Sequence, residues 1–301
     1  MARLVEHRFG DIKLIGYSLA GEETVVAAPE LNVCFDVGRA PQEILSIDHV
    51  FLTHGHMDHA AGLAYYFSQR NFVGNAPGTV LCPKSLVGPI KDLMRVWAGI
   101  EGHLSPHKLV GMSAGDTFEI RRGLLAKAFD VNHRVAALGF SIIDVRHKLK
   151  AEYANLSGPQ LVELKKQGTA IEHKVEVPLI AYCGDTAEGG WLELDIVRQA
   201  KVLVMECTFF DAEHVRRARE GYHLHVRDVA RMLMKLPNEH IVLHHLTRRT
   251  PMAEAKRLLA SLVDPAVLAR VTFLMDYKKM SKSQNVKTSK QEPEEQRLQD
   301  V

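Results

Sequence analysis

An α/β fold, with helices covering the faces of buried strands, follows from three features of the 301-residue sequence. Short apolar runs recur, each followed by turn residues or a polar loop. Segments with helical spacing lie between several of these runs, and the runs fall into two groups. At ~150 residues per domain the length suits two domains, or one large α/β unit made of two halves.

Residues 33–37 before Gly38, 50–53 before His54-Gly55-His56, 179–183 before Gly184-Asp185, 202–205 and 241–243 read as buried strands. Apolar runs of ~4 to 8 residues bounded by turn formers fit a sheet covered on both faces. Helical spacing is clearest where Val226, Val229, Ala230, Leu233 and Leu236 share one face and Pro237 closes the segment. Helices are also expected over residues 89–97 and 161–166. Residues 146–178 carry six Arg or Lys against four Glu between two strands that would otherwise follow closely. They read as a short inserted arm, a helical hairpin projecting from a hydrolase domain that spans residues 1–277. From Lys278 the chain is rich in Lys, Gln, Ser and Glu, the composition of a disordered charged tail over residues 278–301.

An apolar fraction of 46% and a charged fraction of 25% exclude wholesale disorder and fibrous repeats. The cysteines Cys34, Cys82, Cys183 and Cys207 form no CxxC pair, so they read as reduced, buried thiols rather than a disulfide frame or a thiolate zinc site. The N-terminus is charged where a signal peptide needs an apolar run, and no stretch reaches the ~18 apolar residues of a membrane span. A cytoplasmic protein without membrane contact is expected. A formal net charge of +2 leaves a nucleic-acid partner open.

The strongest chemical signal is Thr53-His54-Gly55-His56-Met57-Asp58-His59, where the apolar run 50–52 ends. Three imidazoles and a carboxylate supply the nitrogen and oxygen donors that Zn²⁺ accepts, and Gly55 lets the turn tighten so that neighbouring donors face different metals. A lone histidine at a strand end is more often a surface group than a ligand, a reading that four donors in six residues leave little room for. Two coordination spheres need further donors, and His133, Asp185 and His245 each follow an apolar run. His244 beside His245 is ambiguous, because a strand end turns only one of two adjacent side chains inward.

His54-x-His56-x-Asp58-His59 resembles the HxHxDH signature of the metallo-β-lactamase superfamily. Gly16-Tyr17-Ser18, Phe35-Asp36-Val37-Gly38, His133 with Gly139-Phe140, Gly184-Asp185-Thr186, Glu206-Cys207-Thr208-Phe209, and His245 with Arg249 narrow the resemblance to ribonuclease Z, in its short form. The likeness runs from about residue 10 to 262. It implies an αβ/βα four-layer sandwich, two mixed sheets face to face with helices outside and the metals at one edge. It implies two Zn²⁺ ions, with Mn²⁺ or another divalent ion as alternatives. His54, His56 and His133 would hold one, Asp58, His59 and His245 the other, and Asp185 would bridge them. The implied activity is endonucleolytic removal of the 3′ trailer from precursor tRNA by attack of a hydroxide shared between the metals, which Asp58 orients or deprotonates. Protonation of the departing 3′-oxygen would fall to His223, steadied by Glu206, with His225 as an alternative acid. A homodimer is also implied.

Tyr222-His223 stands where Gly-His is usual, His244 where Thr is usual, and Arg249-Thr250 where Arg-Tyr is common. These departures touch no implied ligand but bear on the shape of the phosphate pocket. Arg249, the cluster Arg216, Arg217 and Arg219, and Lys148 and Lys150 on the arm are candidate contacts to RNA phosphates; the Arg cluster and the arm lysines also fit solvated surfaces. With so small a net charge, a tRNA substrate requires the cations to be gathered around the cleft and the arm. The alternative function is a di-zinc hydrolase of this fold acting on a small phosphodiester or another ester: a sulfate ester, thioester or lactone. A non-catalytic RNA-binding subunit would be expected to lack Asp58 or the acid, and both positions are filled.

Overall fold

The computed structural model describes residues 4–277; the expected tail at 278–301 lies outside them. Seven strands, β1 (Val5–Phe9), β2 (Ile12–Leu19), β3 (Glu23–Ala28), β4 (Val33–Phe35), β5 (His49–Phe51), β6 (Thr79–Pro83) and β7 (Lys108–Met112), form the first sheet in that spatial order. Pairing is antiparallel from β1 to β4 and parallel from β4 to β7. The second sheet repeats the plan with β8 (Thr117–Arg121), β9 (Leu124–Asp130), β10 (Leu138–Leu149), β11 (Glu172–Tyr182), β12 (Val202–Glu206), β13 (His240–His244) and β14 (Val271–Phe273). Here pairing is antiparallel to β11 and parallel from there to β14.

Alternation along the parallel strands explains why they read as unbroken apolar runs. Val202, Val204 and Val242 enter the same core as Phe35, Phe51, Phe140 and Tyr182, between the sheets. Their neighbours Leu203, Met205, Ile241 and Leu243 point the other way, into a second core with Val229, Leu233, Ala255 and Leu259. Each strand therefore buries both faces, one against the facing sheet and one against helices. Full burial of each such side chain contributes roughly 1.5 to 3 kcal/mol. The expected four layers are present: α1 (Met57–Ala60), α2 (Leu63–Phe72) and α3 (Val87–Glu101) belong to the first half, and α5 (Asp195–Arg198), α6 (Val215–Gly221), α7 (Val226–Leu233), α8 (Met252–Ala260) and α9 (Pro265–Leu268) to the second.

The arm departs from the expected helical hairpin. Strands β10 and β11 pair antiparallel from Phe140↔Tyr182 out to Leu149↔Glu172 and carry a 3-10 turn (Ala151–Tyr153) and one α-helix, α4 (Gly158–Lys166), at the far end. Burial falls from complete at the base to exposed toward the tip, so the outer half lacks the apolar face that marks a strand in sequence. Helix α4 starts on a capping box between Ser157 and Gln160. No helix among the described residues is long and apolar enough to cross a membrane. All four cysteines are buried and unpaired, as expected.

Candidate active site

The carboxyl ends of β4, β5, β11, β12 and β13 meet at one edge of the sandwich, bringing together residues far apart in sequence. Beyond β5 the chain runs through Thr53 and His54 into α1, which starts at Met57 and carries Asp58 and His59. Backbone geometry aims the remaining donors. Gly184 lies at φ +61°, and a Cβ there would sit 2.8 Å from Thr53, so only glycine allows the turn that carries Asp185. His245 adopts φ +60°. The ambiguity at the end of β13 is thereby resolved: His244 turns into the core against Tyr182 and Ser18, and His245 enters the site. Asn132 ties the loop of His133 to that of Asp185, its amide donating to Thr186 Oγ1 at 2.9 Å.

One ligand atom each from His54, His56, His133 and Asp185 lies within 4.8 Å of the others, and the same holds for Asp58, His59 and His245. Asp185 Oδ2 stands 3.8 Å from His54 Nε2, 3.4 Å from His59 Nε2 and 3.3 Å from His245 Nε2, so one carboxylate faces both groups. His59 Nε2 and Asp185 Oδ1 are fully buried without a hydrogen-bond partner. Orphaned donors of this kind are costly unless something binds them. The seven donors therefore fit two divalent cations of the zinc type, with nitrogen and oxygen ligands and one shared carboxylate.

The ring nitrogens facing away from this centre are occupied. His59 Nδ1 donates to Asp36 Oδ2 at 2.8 Å and His245 Nδ1 to Thr208 Oγ1 at 2.9 Å. The Thr53 hydroxyl donates to Asp36 and accepts from His54 Nδ1 at 3.0 Å. Each bond fixes the tautomer that leaves Nε2 free for the site. The Gly21 amide donates to Asp58 Oδ2 at 2.8 Å. Burial lowers the pKa of His54, with the neighbouring His59 adding to the effect, and burial likewise lowers His56 and His133, so lone pairs are available on all three. Burial opposes ionisation of Asp58 and Asp185, but the adjacent imidazoles, His245 foremost, hold both well below the usual carboxylate range.

Glu206 ends β12 with no solvent exposure. It accepts from the amides of Thr186 at 2.7 Å and Leu224 at 3.0 Å, from the Thr208 hydroxyl, and from His223 Nδ1 at 3.0 Å. His223 itself lines the cleft. Burial alone would lower the His223 pKa; the charge and hydrogen bond of Glu206, with Asp185 adding, raise it instead to about 9. His225 has no free ring nitrogen, since Nε2 meets the Asp211 carbonyl at 3.0 Å and Nδ1 accepts from the Arg227 amide as the N-cap of α7. It caps α7 and does not line the cleft. Tyr222, where Gly is usual, takes the left-handed conformation at φ +58°, and its carbonyl faces His133 Nδ1 at 3.4 Å.

The cleft holds about 430 Å³ and is lined by His56, Asp58, Asp185, His223 and His245 together with Phe209, Arg217 and Arg249. Of the candidate phosphate contacts, only Arg217 and Arg249 reach it. Arg216 pairs outward with Glu220 at 2.8 Å, and Arg219 is exposed on the same helix. On the arm Arg146, Lys150, Lys165 and Lys174 are paired with Asp144, Glu152, Glu172 and Glu176, and Lys148 is free of such a partner among the described residues. Residues that the sequence reading left without a role are Asp36, Thr208, Ser18 and Gly21. Asp36, Thr208 and Ser18 lie within motifs that carried the family resemblance, with no role attached to them there.

The family profile for the Beta-lactamase superfamily domain matches residues 26–246. The chain is 34% identical over 254 residues to tRNase Z TRZ1 of Arabidopsis thaliana, covering 83% of this chain and 90% of that protein. It is 26% identical over 274 residues to ribonuclease Z of Staphylococcus carnosus, covering 81% and 87%. Among solved structures, the metallo-β-lactamase fold protein YhfI of Bacillus subtilis superimposes with a TM-score of 0.59 at 12% identity over 87% of this chain and 95% of that one. The short form of human tRNase Z superimposes with a TM-score of 0.53 at 16% identity over 90% and 93%. Superfamily profile, sequence identity and architecture agree, and the chain belongs to the ribonuclease Z family of the metallo-β-lactamase superfamily.

Proposed function

We propose that this protein is a zinc-dependent endoribonuclease that removes the 3′ trailer from precursor tRNA, leaving a 3′-hydroxyl on the tRNA. The observation that carries the reading is the juxtaposition of a complete seven-donor cluster with the Glu206–His223 pair in one cleft. His54, His56 and His133 would hold one cation and Asp58, His59 and His245 the other, with Asp185 shared. Cations bound there would supply Lewis acidity and positive charge that favour phosphodiester hydrolysis. Asp58, held by the Gly21 amide and facing His245 Nε2 at 3.3 Å, would orient the attacking water or take its proton. His223 is placed to give one to the departing 3′-oxygen while Glu206 fixes its ring. Arg249 lines the same cleft and offers a guanidinium to a substrate phosphate.

A homodimer is part of the same proposal. Val96, Ile100 and Leu104 on and just after α3, and Phe72 and Val73 at the end of α2, are exposed apolar residues of the sort that an interface covers. Light scattering on the purified chain reads the mass directly. The function itself is tested by incubating the zinc- or manganese-loaded protein with several precursor tRNAs and mapping the ends. Cleavage after the discriminator nucleotide is expected. Turnover of bis-aryl phosphates with no cut in any precursor would favour the small-ester reading.

A further inference from the structure

We infer that Arg217 is a substrate-binding residue which engages a phosphate next to the scissile one, and that it helps the site to distinguish a polyribonucleotide from a single-phosphate ester. This inference rests on the endoribonuclease reading and assigns one specificity contact within it. Helix α6 carries three arginines, and the structure separates them. Arg216 is 87% exposed and paired with Glu220. Arg217, about 100° further round the helix, lines the catalytic cleft. Ala218 is buried and anchors the helix against the body.

Three observations give Arg217 this role. Its guanidinium lies over the ring of Phe209, with Cζ 5.8 Å from the centroid. The same ring meets His223 edge-on at 6.1 Å between centroids, so Arg217 sits one aromatic ring away from the residue placed to protonate the leaving group. Neither Arg217 nor Arg249 forms an ion pair among the described residues, whereas the neighbouring Arg248 is held by Glu22 at 2.7 Å. A guanidinium held over an aromatic ring without an ion-pair partner keeps N–H donors available to a phosphate, and the contact reduces the side-chain freedom that binding would otherwise remove. In the proposed reaction the scissile phosphate would lie against the cluster of Asp58, Asp185 and His245, whose cations would offset the negative charge of phosphate and carboxylates. Arg217, displaced from that cluster past His223 and Phe209, faces a different one, which a single phosphodiester lacks and a polynucleotide supplies on either side of the cut.

The test uses the metal-loaded protein and a labelled precursor tRNA with a phosphorothioate at the cut site, with binding read by anisotropy across a salt series. Arg217→Ala is expected to weaken binding about tenfold and to reduce the slope of log K against log salt by about 0.7 to 0.9, the share of one phosphate contact. Arg217→Lys should keep the slope while recovering only part of the affinity, because a point charge replaces a fork. The loss of kcat/KM caused by Arg217→Ala should be at least fivefold greater on cleavable precursor tRNA than on bis(p-nitrophenyl) phosphate. An unchanged salt slope, or equal losses on the two substrates, would overturn the assignment. If the wild type binds the precursor and fails to cut it, the endonuclease reading falls while the slope still decides the role of Arg217. If the wild type does not bind it, both fall.

Discussion

Glu206 shows how much a single side chain organises in this site. Four donors converge on a carboxylate with no solvent exposure, and two of them, His223 and Thr208, reach the chemistry directly or through His245. His223→Ala is expected to slow single-turnover cleavage by on the order of 10² to 10⁴ while metal content by elemental analysis stays at the wild-type level. His225→Ala should instead cost about 1 kcal/mol in denaturant unfolding as a lost cap of α7, with a rate loss far short of that for His223. In the metal-free protein the His223 ring should titrate near 9 by NMR, against an ordinary histidine near ~6.5. Because the folded pKa is raised, the stability His223 contributes is complete below the unfolded value and disappears as pH rises through about 9. Glu206→Gln removes the neighbouring charge and should move the titration down; a titration that stays in place would show that Glu206 is not its cause. The proposed acid must carry its proton, so kcat/KM should fall on the alkaline side, at a lower pH once cations occupy the adjacent Asp185. At this scale the seven proposed ligands were legible because they cluster or end apolar runs. Asp36, Thr208 and Ser18 stood within motifs of the family resemblance but their roles were not legible, since each acts on an imidazole 23, 37 or 226 residues away and short polar side chains near strand ends are common.

Among elements, the strand ends do most of the positioning. Gly184→Ala demands both a left-handed alanine and a displaced Thr53, and Thr53 holds Asp36 and His54. A loss of roughly 1 to 3 kcal/mol is expected in thermal or denaturant unfolding, with metal affinity falling in a parallel titration. Full metal affinity in a stable Gly184→Ala protein would show that the turn is not what aims Asp185. The parallel strands were readable from sequence because both faces are buried. The outer halves of β10 and β11 were not, because exposed residues on both faces leave no pattern and the polar stretch suggested helices. Helix α3 runs from Val87 to Glu101, beyond the expected 89–97, because the chain stays helical until Gly102 takes φ +77°.

For the whole molecule the balance of charge sets a demand that local motifs do not. A formal charge of +2 provides little general attraction for RNA. The cleft answers in part, with two arginines beside the donor cluster that form no ion pair among the described residues. The arm answers weakly, since four of its six Lys and Arg are paired with acids. RNA affinity should therefore depend more on Arg217 and Arg249 than on Lys148 and Lys150. Comparison of double alanine variants of each pair in the same binding assay checks this, and a larger loss from the arm pair would reverse the order. The endoribonuclease function is tested by end-mapped cleavage of a precursor tRNA by the metal-loaded protein, with and without a chelator. A single cut after the discriminator nucleotide, a 3′-hydroxyl on the tRNA, and loss of the cut on chelation are expected. A protein that binds its metals and hydrolyses a small phosphodiester, yet leaves every precursor whole, would contradict that function.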